Sequence, residues 1–178
     1  MERILRHRNG LWTLINKVPL LFAAVKFEHT VFALPFAYIG MILAEDGWPS
    51  LAEITWITVA MIAARTLAMS SNRLIHNKED QENPRTSGRH LPKGVLKPWD
   101  MRMLMLFSIA IFLYAAFQLN TLTFVLAPIA AAYVILYSYA KYYTWASHFV
   151  LGWADAIAPA GGWIAITGTL DPQAILLA

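Results

Sequence analysis

Residues 51–75 read LAEITWITVAMIAARTLAMSSNRLI and pass directly into HNKEDQENPRTSGRHLPKG at 76–94. The first stretch is long and apolar enough to cross a bilayer, which takes ~20 such residues in a helix. The second is the most polar stretch of the chain. At ~100° per residue, Arg65, Asn72, His76 and Asp80 fall at about 0°, −20°, 20° and 60° on a helical wheel, and Glu79 at about −40°. A membrane helix therefore carries one arginine deep inside, then an amide, an imidazole and carboxylates toward its polar end. Pro84 predicts the end of this helix, about two turns beyond the membrane face.

Four further apolar runs accompany it: Phe27–Ala44, Met103–Leu119, Leu122–Ala140 and Trp145–Gly168. A sixth begins at Ala174–Ala178. The expectation is an all-α polytopic transmembrane helix bundle, with about five spans and the start of a sixth. The composition agrees. Of 178 residues, 58% are apolar and 14% charged, against ~25% charged in ordinary soluble domains, and mean hydropathy is +0.48. So few charges cannot coat a soluble globule, and so much apolar surface excludes disorder. The absence of cysteine removes disulfides, thiolate catalysis and thiolate-bound metals. A net charge of +3 gives no reason to expect nucleic acid.

The whole of 1–178 reads as one membrane domain. Residues 1–26 are basic and amphipathic, with Trp12, Leu14, Ile15 and Val18 placed to face lipid at the membrane surface. Residues 76–98 form a polar loop. The connections at 45–53, 118–121 and 169–173 hold no Lys or Arg, whereas basic residues concentrate at 1–26, at 76–102 and at Lys141. The positive-inside rule then puts the N-terminus and the polar loop in the cytoplasm, and the chain in the inner membrane as a multi-pass protein.

For the polar residues two readings stand. An arginine inside a membrane marks a cavity or ligand site by default; otherwise Arg65 pairs with an acid such as Glu28. Glu79, Asp80 and Glu82 suit Mg²⁺, a hard cation that bridges to phosphates, or form a solvated charge run. Arg85, Arg89 and Lys93 form a headgroup patch or a phosphate clamp. Tyr137 and Lys141 share a helix face at i,i+4, as a site or as an interfacial belt. Asp155 stands mid-span, an expensive position for a carboxylate. Nearby Pro159 and Gly161-Gly162 predict a kink. His29 and His148, at span ends, read as structural.

Taken together, these strings resemble a family. Ala64-Arg65-Thr66-Leu67-Ala68-Met69-Ser70-Ser71-Asn72-Arg73-Leu74-Ile75, then Asn83-Pro84-Arg85-Thr86 and Arg89-His90-Leu91-Pro92-Lys93-Gly94, are similar to the UbiA superfamily of intramembrane aromatic prenyltransferases. The nearest resemblance is to its bacterial 4-hydroxybenzoate polyprenyltransferase-like members. Lys26–Ala37 resembles the first-span signature, and Leu151-Gly152, Ala158-Pro159 and Gly162–Ala165 the fifth.

The resemblance implies transfer of a polyprenyl group from an allylic polyprenyl diphosphate to an aromatic acid in quinone biosynthesis, with Mg²⁺ as cofactor and membrane lipid as surroundings. It implies Asn72 and Asp80 as metal ligands with Glu79 nearby, and His76 where the family has Asp. It also implies Arg65 as partner of the acceptor's carboxylate, and Tyr137, Lys141 and Arg73 as diphosphate-binding residues. It assigns nothing to Asp155. The family's second Asp-rich motif has no counterpart here. The expectation is therefore that these residues alone transfer no prenyl group and need a C-terminal half. The alternatives are a non-catalytic truncated or split paralogue, and a small membrane transporter or lipid-binding bundle.

Overall fold

The computed structural model describes residues 17–45, 47–143 and 147–177, apart from the side chains at 29, 141, 143 and 147. Every regular element among the described residues is helical. Helix α1 covers 17–24. After a 3-10 turn at Phe27–His29 come α2 (Thr30–Ala44), α3 (Leu51–Ile75), α4 (Asn77–Glu82), α5 (Pro98–Leu119), α6 (Thr121–Tyr143), α7 (Ser147–Thr167) and α8 (Pro172–Leu177). Helices α3, α5, α6 and α7 are long and apolar enough to cross a membrane, and α2 is a shorter apolar helix of 15 residues. The expected first span is thus shorter than its apolar run, because its opening residues form the 3-10 turn. Of the residues expected to lie on the membrane surface, Trp12, Leu14 and Ile15 fall outside the described residues. Val18 is exposed, and Lys17 Nζ donates to Asp100 Oδ1 at 2.7 Å, fixing α1 to the start of α5.

Local chemistry sets the helix ends. Ser50 caps α3 reciprocally: its Oγ accepts from Glu53 N at 3.2 Å, while Glu53 Oε2 accepts from Ser50 N at 2.7 Å. Pro98 opens α5, where its missing N–H costs nothing. Asn120 joins α5 to α6. Its Oδ1 accepts from Thr123 N at 2.8 Å, and its Nδ2 donates to the carbonyls of Ile164 and Ala165, both at 2.9 Å. One side chain therefore caps α6 and holds the end of α7.

The continuous helix expected to run to Pro84 breaks at His76 (φ −92°, ψ 18°), which ends α3 and precedes α4. The cause lies in the side chain: His76 Nε2 donates to the Ser138 carbonyl of α6 at 2.8 Å and so turns the chain there. The polar loop beyond α4 is folded, not merely solvated. Leu91 and Leu96 are buried with Ala24, Val25 and Met101. Leu96 N donates to His90 O at 3.1 Å.

The main helix contacts are α3 on α5 and α2 on α7. The second is a backbone-to-backbone crossing. A Cβ at Gly40 would collide with the Pro159 carbonyl, and one at Gly162 with the Ala37 carbonyl. Only glycine admits that approach. The outward faces carry Phe32, Phe107, Phe117, Ile129, Leu136 and Phe149, all exposed. Lipid is the solvent that suits such a surface, and the chain is a membrane protein.

Candidate functional site

The expected site residues fall into two neighbouring groups. The first lies at the loop end of α3. Asp80 is buried, and Arg89 Nη1 donates to its Oδ1 at 2.7 Å and its Oδ2 at 2.6 Å. Arg73 Nη1 lies 3.8 Å from Oδ2. The Arg73 guanidinium is itself buried, and its Nε donates to the Ala24 carbonyl at 3.1 Å. Thr86 Oγ1 donates to the Asp80 carbonyl at 3.1 Å. Asp80 is thus the hub of a two-arginine network that gathers α1, α3, α4 and the polar loop.

Asn72 is half-buried one turn before His76, and its carbonyl accepts from His76 N at 3.1 Å. The imidazole of His76 is engaged on Ser138 and lies 4.9 Å, ring to ring, from Tyr142. The Tyr142 hydroxyl is 3.2 Å from the Ile75 carbonyl and also meets the Glu79 carboxylate. Partial burial, then Glu79, push the Tyr142 hydroxyl up to about 12. The Glu79 carboxyl is held below the usual range by its own backbone N–H first, and then by Tyr142. Among the described residues no group of three or more acidic or imidazole side chains is arranged to hold a metal ion. The side chain of Lys141 lies outside the described residues.

The second group lies inside the helices. An open cavity of 710 Å³ is lined by α2, α3, α5, α6 and α7 and is mostly apolar, with Phe36, Phe112 and Tyr133 among its walls. Arg65, Tyr137 and Asp155 also line it. Arg65 Nε is buried without a hydrogen-bond partner among the described residues. Tyr137 lies within electrostatic reach of both Arg65 and Asp155. Glu28 is not the partner of Arg65: the ion pairs among the described residues join Lys17 to Asp100, and Arg73 and Arg89 to Asp80.

The wheel placed Arg65, Asn72, His76 and Asp80 on one stripe. The break at His76 divides it. Arg65 lines the cavity, His76 turns to α6, and Asp80 turns to the arginines. The clamp of Arg89 on Asp80 escaped the sequence reading because a separation of nine residues across a turn has no helical period. Ser138 and Tyr142, four residues apart on α6, escaped it too, because the sequence does not say which helix faces His76.

Residues 33–178 match the UbiA prenyltransferase family. The chain is 34% identical to a protoheme IX farnesyltransferase of Methylococcus capsulatus, over 84% of this chain and 50% of that one. It is 27% identical to a 4-hydroxybenzoate octaprenyltransferase of Aliivibrio salmonicida, over 78% and 48%. The chain spans about half the length of the curated relatives it matches. Among solved structures it is similar to a UbiA homologue from Aeropyrum pernix, with a TM-score of 0.78 and 29% identity over 85% of this chain and 56% of that one. It shares its fold with a digeranylgeranylglyceryl phosphate synthase, with a TM-score of 0.80 and 15% identity over 91% and 57%.

Proposed function

The chain belongs to the UbiA prenyltransferase family, and from that premise we propose that it serves prenyl transfer from an allylic polyprenyl diphosphate to an aromatic acid of the 4-hydroxybenzoate kind, in quinone biosynthesis. The observation that carries this reading is Arg65: a cation whose buried Nε has no hydrogen-bond partner among the described residues, in the wall of a cavity that is otherwise mostly apolar. An unsatisfied buried donor costs ~1–3 kcal/mol, more when charged. A carboxylate ligand relieves that cost through a short, charge-assisted pair.

The division of labour follows from the two groups. The prenyl chain and the ring occupy the apolar cavity, where exclusion of water protects an allylic cation. The diphosphate lies toward the loop end, near Asn72, Tyr137 and Lys141. Mg²⁺ takes oxygen ligands and commonly keeps waters and phosphate oxygens as the remainder. The oxygens of Asn72 and Asp80 suit such an ion by type, though both Asp80 oxygens are held by Arg89. The imidazole of His76 does not, and Glu79 stands with Tyr142. When bound, the ion would supply neutralisation of the leaving diphosphate. Arg73 and Arg89 hold Asp80 in place, and Asp80 serves the ion only on parting from Arg89.

The relatives named protoheme IX farnesyltransferase favour a second reading, with a porphyrin acceptor. Titration of the purified chain in lipid nanodiscs separates the two. The expected result is saturable, Mg²⁺-dependent binding of farnesyl or longer prenyl diphosphate, with 4-hydroxybenzoate bound and haem excluded. Haem binding that displaces the acid supports the second reading. No saturable prenyl diphosphate binding would overturn both.

A further inference from the structure

Asp155 has no task in the function proposed above, yet it stands midway along a membrane helix. A carboxylate there is costly unless it meets a partner. It belongs to no ion pair among the described residues, and it lines the same cavity as Arg65.

Tyr137, which lines the cavity with them, lies in electrostatic reach of both charges, and among the described residues Arg65 and Asp155 form no ion pair with each other. Such a pair suits a rigid ligand that is anionic at one end and a hydrogen-bond donor at the other.

We propose that Asp155 is a positioning residue that accepts the ring hydroxyl of a hydroxyaryl carboxylate whose acid group is held by Arg65, so that the two form a two-ended clamp in the membrane cavity. This rests on the aromatic-acid reading above and sharpens it: the acceptor carries both groups, and the hydroxyl is read as well as the acid. A hydrogen bond to a charged acceptor is worth about tenfold or more in affinity.

The experiment is equilibrium binding of 4-hydroxybenzoate, benzoate and 4-methoxybenzoate to the chain in lipid nanodiscs. The variants are Asp155→Ala, Asp155→Asn and Arg65→Gln, each checked for folding by circular dichroism. The wild-type chain is expected to bind 4-hydroxybenzoate about tenfold more tightly than the other two acids. Asp155→Ala should bind all three alike, with benzoate affinity unchanged. Asp155→Asn, a neutral isostere, should keep a reduced preference and answers the case in which the alanine variant does not fold. Arg65→Gln should weaken every acid. If the hydroxyl preference survives in both Asp155 variants, or is missing from the wild type while benzoate binds, the clamp is overturned and the aromatic-acid reading stands. If no acid binds the wild type, that reading falls and takes the clamp with it.

Discussion

At position 80 one buried carboxylate serves two guanidiniums, and Arg73 is itself buried. Removing the carboxylate leaves Arg73 without its counter-charge, and breaking a buried pair costs ~3–5 kcal/mol. Because Arg89 is partly exposed to solvent, Asp80→Asn is expected to cost about 3 kcal/mol, measured by denaturant unfolding in detergent. Arg89→Ala should cost less, since Arg73 remains beside Asp80. His76 is a second case. Its Nε2–H donates to a carbonyl, which a carboxylate cannot do, so His76→Asp should lose about 1 kcal/mol of stability. The same change adds a hard oxygen donor one turn from Asn72. It is expected to strengthen Mg²⁺-dependent binding of a prenyl diphosphate in a direct titration; equal affinity would show that position 76 is not a metal position. The residue types of this group were legible, because Asn72 and Asp80 are spaced as a helix face. Their partners were not: Arg89 reaches Asp80 across a turn, and Ser138 reaches His76 from another helix.

Between α3 and α4 the chain changes direction at one residue, and Glu79 with Tyr142 ties the short helix to α6. The lowered Glu79 carboxyl makes its share of this tie fully present above the ordinary glutamate range and lost as pH falls below it. The raised Tyr142 hydroxyl makes its share present below the ordinary tyrosine value and lost as pH climbs toward about 12. The tie should hold from about pH 5 to 10. Tyrosinate absorbance of the wild type should include one late-titrating group that Tyr142→Phe removes. A sharper test of element packing is the α2–α7 crossing. Gly162→Ala drives a Cβ into backbone, so a loss of about 3 kcal/mol or more is expected in thermal melts. Gly161→Ala meets open space and should change little. The apolar span Leu51–Ile75 matches α3, because its apolar length and its polar boundary coincide, but the helix was expected to continue to Pro84 and the break at His76 was not legible. The crossing was invisible, since glycine spacing does not say which helix comes close.

Over the whole molecule, helices in lipid satisfy their own backbones, so length and hydropathy alone disclosed the all-helical membrane class. Charge placement carries the orientation. The connections at 45–53, 118–121 and 169–173 contain no Lys or Arg, and the polar loop is expected on the cytoplasmic side. In a chain without cysteine, Ser87→Cys should resist a membrane-impermeant thiol reagent applied to intact cells and react after lysis. Reaction in intact cells would reverse the topology. Which helices pair was not readable, because membrane helices of similar composition carry no pairing code as plain as a period. The pairing that did form has a bearing on biosynthesis. Gly40 and Gly162 are 122 positions apart in the chain (162 − 40). At a ribosomal pace of roughly 5–20 residues per second, α2 leaves the ribosome roughly 6–24 s ahead of the helix it is shaped to meet. For that interval its glycine face lacks the partner it is shaped for, and the crossing forms no sooner than the arrival of α7.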